Sequence, residues 1–120
     1  MRIAVTSDGT SPEAPVDARF GRAAGFIVFD TDTGAYEAVD NTTNLGAVQG
    51  AGIQAGEAVA RLGVECLITG HCGPKAFRFL RAAGIRVCTG AHGTVREAIE
   101  AFQGGDLSPN DHADVDSHWA

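Results

Sequence analysis

Val64-Glu65-Cys66-Leu67-Ile68-Thr69-Gly70-His71-Cys72-Gly73-Pro74-Lys75 is the stretch that decides the fold. Its apolar part, Val64 to Ile68, reads as a buried strand. Gly70-x-x-Gly73-Pro74 then breaks the strand, and proline suits the first turn of a helix. Pro74 to Ala83 follows as an amphipathic helix. Ala76, Phe77, Phe79, Leu80 and Ala83 form its apolar stripe, with Lys75, Arg78 and Arg81 on the other side. A helix start presents free backbone N–H groups and the positive end of a dipole, and both favour an anion. His71 and Cys72 share that turn, and both side chains can ligate a soft or borderline metal. One loop thus combines anion affinity with metal affinity.

The same pattern recurs downstream. Gly84 is a natural helix terminator, and Ile85 to Cys88 is a short strand. Thr89-Gly90-Ala91-His92-Gly93 is a second glycine-rich loop. Thr94-x-x-Glu97 is a capping box. Val95, Ala98, Ile99 and Phe102 supply the apolar stripe of a last helix, which Gly104-Gly105 stops. Strand-to-helix loops of this kind leave the carboxyl ends of parallel strands, where ligands of open α/β sheets bind.

Upstream, Ile3 to Thr6 is a β-branched run suited to a central strand. Gly25 to Asp30 and Ala35 to Val39 read as a hairpin around Thr31-Asp32-Thr33-Gly34. Gly50 to Leu62 reads as a helix whose Gly52, Ile53, Gly56, Val59, Ala60 and Gly63 share one face. Glycine costs a helix roughly 1 kcal/mol against alanine, so that face implies close approach to the sheet or to a ligand. Thr10 to Arg22 and Asn41 to Gln49 are long loops. The element order is β-β-β-α-β-α-β-α. It predicts an α/β fold with a mixed five-stranded sheet and helices on its faces. Residues 1–105 form the domain, and 106–120 read as a loose acidic tail.

Composition narrows the function. A net charge of −6 argues against nucleic-acid binding, although Asp106, Asp111, Asp114 and Asp116 concentrate much of it in the tail. No apolar run approaches the roughly 18 residues of a membrane helix, and the start is too short for a signal peptide. The expectation is a cytoplasmic protein. Cys66, Cys72 and Cys88 are an odd set without a C-x-x-C pair. That speaks against a disulfide framework, a zinc ribbon or a thioredoxin-type site. No Ser-His-Asp or P-loop pattern is present.

In this order and spacing, several pieces together carry a resemblance. They are Ile3-Ala4-Val5 with Ser7-Asp8, and Val16-Asp17 with Arg19-Phe20-Gly21-Arg22-Ala23. Then come Gly50-Ala51-Gly52-Ile53-Gln54-Ala55, and Ile68-Thr69-Gly70 with Gly73-Pro74-Lys75-Ala76. Ala83-Gly84-Ile85 and Gly93-Thr94-Val95-Arg96-Glu97-Ala98 complete the set. The chain resembles the dinitrogenase iron–molybdenum cofactor-binding family, which includes small nitrogenase cofactor carriers and orange-protein-like domains. The resemblance implies an RNase H-like three-layer fold without nuclease activity. It also implies carriage of an anionic metal–sulfur cluster, either iron–sulfur or a molybdenum-containing heterometallic one. Cluster donor and acceptor proteins would be the partners, with a homodimer as an option. The histidine that many members carry before the Gly-Ala-Gly-Ile helix has no counterpart here, where the loop reads Leu45-Gly46-Ala47-Val48-Gln49.

The resemblance and the loop chemistry together yield a candidate site. Ser7, Arg19, Phe20, Arg22, Gly70, Gly73, Lys75 and Gly90 would cradle the cluster through guanidinium, ammonium and loop amides. His71, Cys72, Cys88 and His92 would offer sulfur or imidazole ligands. Cys66, inside the apolar strand, reads as a small core residue. His112 and His118 in the tail read as solvated groups or weak metal scavengers. Two other functions stand beside the carrier. One is a regulatory or interaction domain of the same fold without a cluster. The other is a metal-dependent RNase H-like hydrolase built on carboxylates such as Asp8 and Asp30.

Overall fold

The structure, a computed structural model, describes residues 1–41 and 51–114. Strands β1 (Arg2–Ser7), β2 (Gly25–Asp30) and β3 (Tyr36–Asp40) precede helix α1 (Ala51–Ala60). Strand β4 (Cys66–Ile68), helix α2 (Pro74–Ala82), strand β5 (Arg86–Cys88) and helix α3 (Val95–Gln103) follow. The sheet order is β3-β2-β1-β4-β5. β1 pairs antiparallel with β2, and β2 antiparallel with β3. The α-linked half is parallel: Ile3 lies opposite Cys66 and Val5 opposite Ile68, then Ile68 opposite Cys88. The mixed five-stranded α/β architecture is the one the element order implies.

Central β1 is apolar because it has neighbours on both edges and is covered on both faces; every residue after Arg2 is buried. Side-chain alternation splits the core in two. Ala4, Phe26, Val28, Leu67 and Val87 face α1 and α2, joined there by Phe20, Cys72 and Leu80. Ile3, Val5, Ile27, Cys66, Ile68 and Cys88 face α3, joined by Val95, Ala98 and Ile99. The sheet is thus the middle of three layers.

Some details differ from the sequence reading. The loop from Thr10 to Arg22 contains a 3-10 turn at Phe20–Arg22. On α1, a Cβ at Gly56 would lie 2.9 Å from the Phe79 ring, so that glycine serves contact with α2 rather than with the sheet or a ligand. Gly50 and the loop from Thr42 to Gln49 lie outside the described residues.

Residues 106–114 depart from the expected loose tail. Asp106 and Leu107 N–H groups donate to the Ala101 carbonyl at 2.8 and 3.2 Å. Leu107 packs on the α3-side core and Ala113 on the other. Between them, Asn110 N–H donates to the Val87 carbonyl at 2.7 Å, and Asn110 Nδ2 donates to Thr89 Oγ1 at 2.6 Å. The segment is therefore a strap that crosses the outer edge of β5. It satisfies edge groups that an exposed strand leaves unpaired. Asp116 and His118 lie outside the described residues. No helix among the described residues is long and apolar enough to cross a membrane.

Candidate functional site

The carboxyl ends of β1, β4 and β5 are adjacent, so the loops that leave them are forced together. Thr6 Oγ1 donates to the Asp17 carbonyl at 2.8 Å and lies 2.9 Å from Thr69 Oγ1. His71 N–H donates to the Ala18 carbonyl at 2.7 Å, and Phe20 N–H to the His71 carbonyl at 3.2 Å. These bonds zip the Arg19 loop to the His71 loop. The approach is so close that a Cβ at Gly70 would stand 2.7 Å from the Ala18 carbonyl oxygen. On the other side, Gly90 N–H donates to the Gly70 carbonyl at 2.8 Å and Ala91 N–H to the Thr69 carbonyl at 3.2 Å. The expected meeting of the first-strand loop, the His71-Cys72 loop and the Gly90 loop is therefore present.

The side chains distribute differently. Arg19, Arg22 and Lys75 are exposed, Arg19 in the loop zipped to His71 and Lys75 in the first turn of α2. Phe20 is fully buried, its ring centroid 6.1 Å from that of Phe26. It anchors the Arg19 loop to the core and is not a recognition surface. Ser7 is also buried; its Oγ donates to the Gly9 carbonyl at 2.8 Å and accepts from Gly9 N–H at 3.1 Å. Its hydroxyl closes its own turn. Gly73 is buried as the residue before α2, with no side-chain cap on the helix.

The proposed four-ligand constellation is not assembled. Cys72 belongs to the core beneath α1 and α2, whereas Cys88 lies on the α3 face of the sheet. The sheet separates the two sulfurs. Burial, and secondly the Asp114 charge, push the Cys72 thiol up to about 12. Its sulfur is fully buried in that core, with no second cysteine beside it among the described residues of the cluster. Cys88 Sγ instead contacts Cys66 Sγ at 3.6 Å. His92 is exposed at the rim of a separate cavity of about 320 Å³, with Gly90, Glu97, Asp106 and Leu107 in its lining. Among the described residues, no three or more His, Cys, Asp or Glu side chains are grouped to hold a metal ion.

The sequence reading missed one participant. Asp114, at the end of the strap, lays its carboxylate across the His71-Cys72 turn. Its Oδ1 accepts from Cys72 N–H at 2.9 Å, and its Oδ2 lies 2.8 Å from His71 Nδ1. An acidic residue in an aperiodic tail carries no local signal of this contact. Leu107 and Asn110, an apolar residue and a hydrogen-bonding one in that tail, were the only hints.

The carboxylates invoked for hydrolysis do not converge. Asp30 pairs in register with Arg2, whereas Asp8 follows Ser7. They mark opposite ends of β1, about 17 Å apart at strand rise. Asp30 Oδ1 accepts from Asp32 N–H at 2.8 Å within the hairpin turn.

The family model described as dinitrogenase iron-molybdenum cofactor matches residues 1–105. The apo form of the orange protein from Desulfovibrio gigas is 45% identical and superposes with a TM-score of 0.93, over 95% of this chain and 96% of that one. A NifB-like protein from Thermotoga is 40% identical with a TM-score of 0.78, over 90% and 91% of the two chains. An uncharacterised protein of Methanocaldococcus jannaschii is 28% identical, with 89% of each chain covered.

Proposed function

The chain belongs to the dinitrogenase iron-molybdenum cofactor family, and on that premise we propose that it is a non-enzymatic carrier of an anionic metal–sulfur cluster. The cluster is cargo, received from a donor protein and passed to an acceptor. Its seat is the junction of the Arg19, His71-Cys72 and Gly90 loops.

The observation that carries this reading is Asp114. The chain's own carboxylate is held where a cargo anion would be held, by a loop amide and an imidazole. A turn that binds one anion with an N–H at 2.9 Å has the polarity to bind another. Exposed Arg19, Arg22 and Lys75 add positive charge around it. Cys72 fits the cargo differently from the sequence reading. Its thiol is buried and kept protonated, so charge and hydrogen bonds hold the cluster, with His71 the nearest side-chain ligand. Such a seat releases its load without breaking metal–thiolate bonds, which suits a carrier. Cargo entering this seat displaces the Asp114 carboxylate.

The test is anaerobic titration with tetrathiomolybdate, followed by its visible charge-transfer bands and by calorimetry. Saturable binding that weakens in Arg19→Ala and Lys75→Ala, and persists in Cys72→Ala, is the expected result. Absence of binding, or binding indifferent to both charge variants, refutes the carrier.

A further inference from the structure

Cys66 and Cys88 have no part in the cargo seat, yet their two thiols meet inside the core. Their sulfurs lie 3.6 Å apart, and both residues are fully buried under α3. We propose that this pair is a two-coordinate site for a monovalent soft metal ion, with Cu(I) as its physiological class.

The argument begins with the register. Cys66 lies opposite Arg86, and Cys88 lies opposite Ile68. The two cysteines are therefore diagonal neighbours on adjacent parallel strands. Strand spacing and rise put their Cα atoms about 8 Å apart, outside the usual disulfide range of roughly 4.4–6.8 Å. A disulfide would require the strands to move. A bridging ion would not, because it lengthens the link between the sulfurs. With metal–sulfur bonds of about 2.3 Å, a linear unit spans about 4.6 Å. The sulfurs need to part by about 1 Å, within reach of small χ1 changes.

The donor set selects the metal. Two thiolates, with no third His, Cys, Asp or Glu grouped with them among the described residues, leave zinc half coordinated, since structural zinc takes four. Soft thiolates select Cu(I) among the biological ions. The step balances without redox change: two thiols and one Cu(I) give a bis-thiolate complex of charge −1 and two protons released to solvent. Arg86, in register with Cys66 across the strands, places a positive charge beside the pair. The way in would lead past the 320 Å³ cavity at the end of β5, which neither cysteine lines. Ala91, Ala98 and Leu107 line it and belong to, or pack on, the same core cluster as the two cysteines. His92 at its rim offers a transient ligand on the way in.

The test is anaerobic titration of the reduced protein with Cu(I) against a chromophoric competitor. X-ray absorption of the loaded wild-type protein accompanies it. The expected result is one Cu(I) per chain with two sulfur neighbours, retained in Cys72→Ala. Cys66→Ala and Cys88→Ala each lose more than about a hundredfold in affinity, beyond what loss of a merely supporting contact costs. Binding that survives both substitutions, a nitrogen-containing shell in the wild type, or no binding in competition overturns the site. The wild-type spectrum decides even if an alanine variant misfolds. Because the cargo seat is on other loops, tetrathiomolybdate binding is unaffected by Cys66→Ala, so either reading can fail alone.

Discussion

Replacing Asp114 by alanine should weaken the fold and tighten cargo binding. The carboxylate makes two contacts, with Cys72 N–H at 2.9 Å and His71 Nδ1 at 2.8 Å, and its side chain is 23% exposed. A hydrogen bond to a charged group contributes about 1.5–3 kcal/mol when well shielded. Partial exposure and the entropy of ordering a strap end reduce that to about 1–2 kcal/mol for the pair together. A destabilisation of about 1 kcal/mol lowers the melting temperature of a domain this size by roughly 4–8 °C. The same interaction is what a cargo anion must displace. Its removal should therefore improve tetrathiomolybdate affinity by about tenfold, since 1.4 kcal/mol is a factor of ten. Thermal melts followed by circular dichroism read the first effect, and anaerobic calorimetry the second. A variant that melts lower and binds more weakly refutes the reasoning, because Asp114 would then support the seat rather than occupy it.

Phe20→Ala should cost about 3–5 kcal/mol in a urea titration, since a fully buried ring leaves a cavity. It should also weaken anion binding through loss of the Arg19 loop. Gly70→Ala places a Cβ 2.7 Å from the Ala18 carbonyl oxygen and 2.8 Å from its Cα. Forcing the loops apart should cost about 1–3 kcal/mol, with amide exchange rising at His71 and Phe20. The Cys72 thiol is raised from 9.0 to about 12 in the folded chain. Below pH 9 it is protonated in both states and its contribution is intact. Between about 9 and 12 the unfolded chain ionises first, so stability falls as pH rises. Cys72→Ala should flatten that part of the alkaline unfolding curve. An unchanged curve would show that another group controls it.

Much of the architecture is legible in local pattern. Val64 to Ile68, the Gly70-x-x-Gly73-Pro74 break and the stripe of Phe77 and Leu80 each specify an element through nearest-neighbour physics, namely burial, φ/ψ preference and helical period. Thr94 and Glu97 form the capping box that their spacing implies, with Glu97 N–H donating to Thr94 Oγ1 at 3.1 Å. The meeting of the three loops was also readable, because parallel strands must release their chains at one end of the sheet. What could not be read was the direction of individual side chains. Cys72 lies in the loop after β4 and Cys88 ends β5, yet one turns beneath α2 and the other beneath α3. A loop adds an unpredictable number of half-turns to strand alternation, and one residue of offset reverses the face.

The amino-acid order by itself determined the layers, the strand directions and the family, because those depend on periodicity and on motifs a few residues long. Only the tertiary structure decided that Asp114 spans the His71-Cys72 turn, that Phe20 is an anchor, and that Cys88 meets Cys66 rather than Cys72. Each of these contacts joins residues that are 20 or more positions apart, or depends on which face of the sheet a side chain takes. Such contacts are chosen by the closure of the whole core, and no short window of sequence contains them.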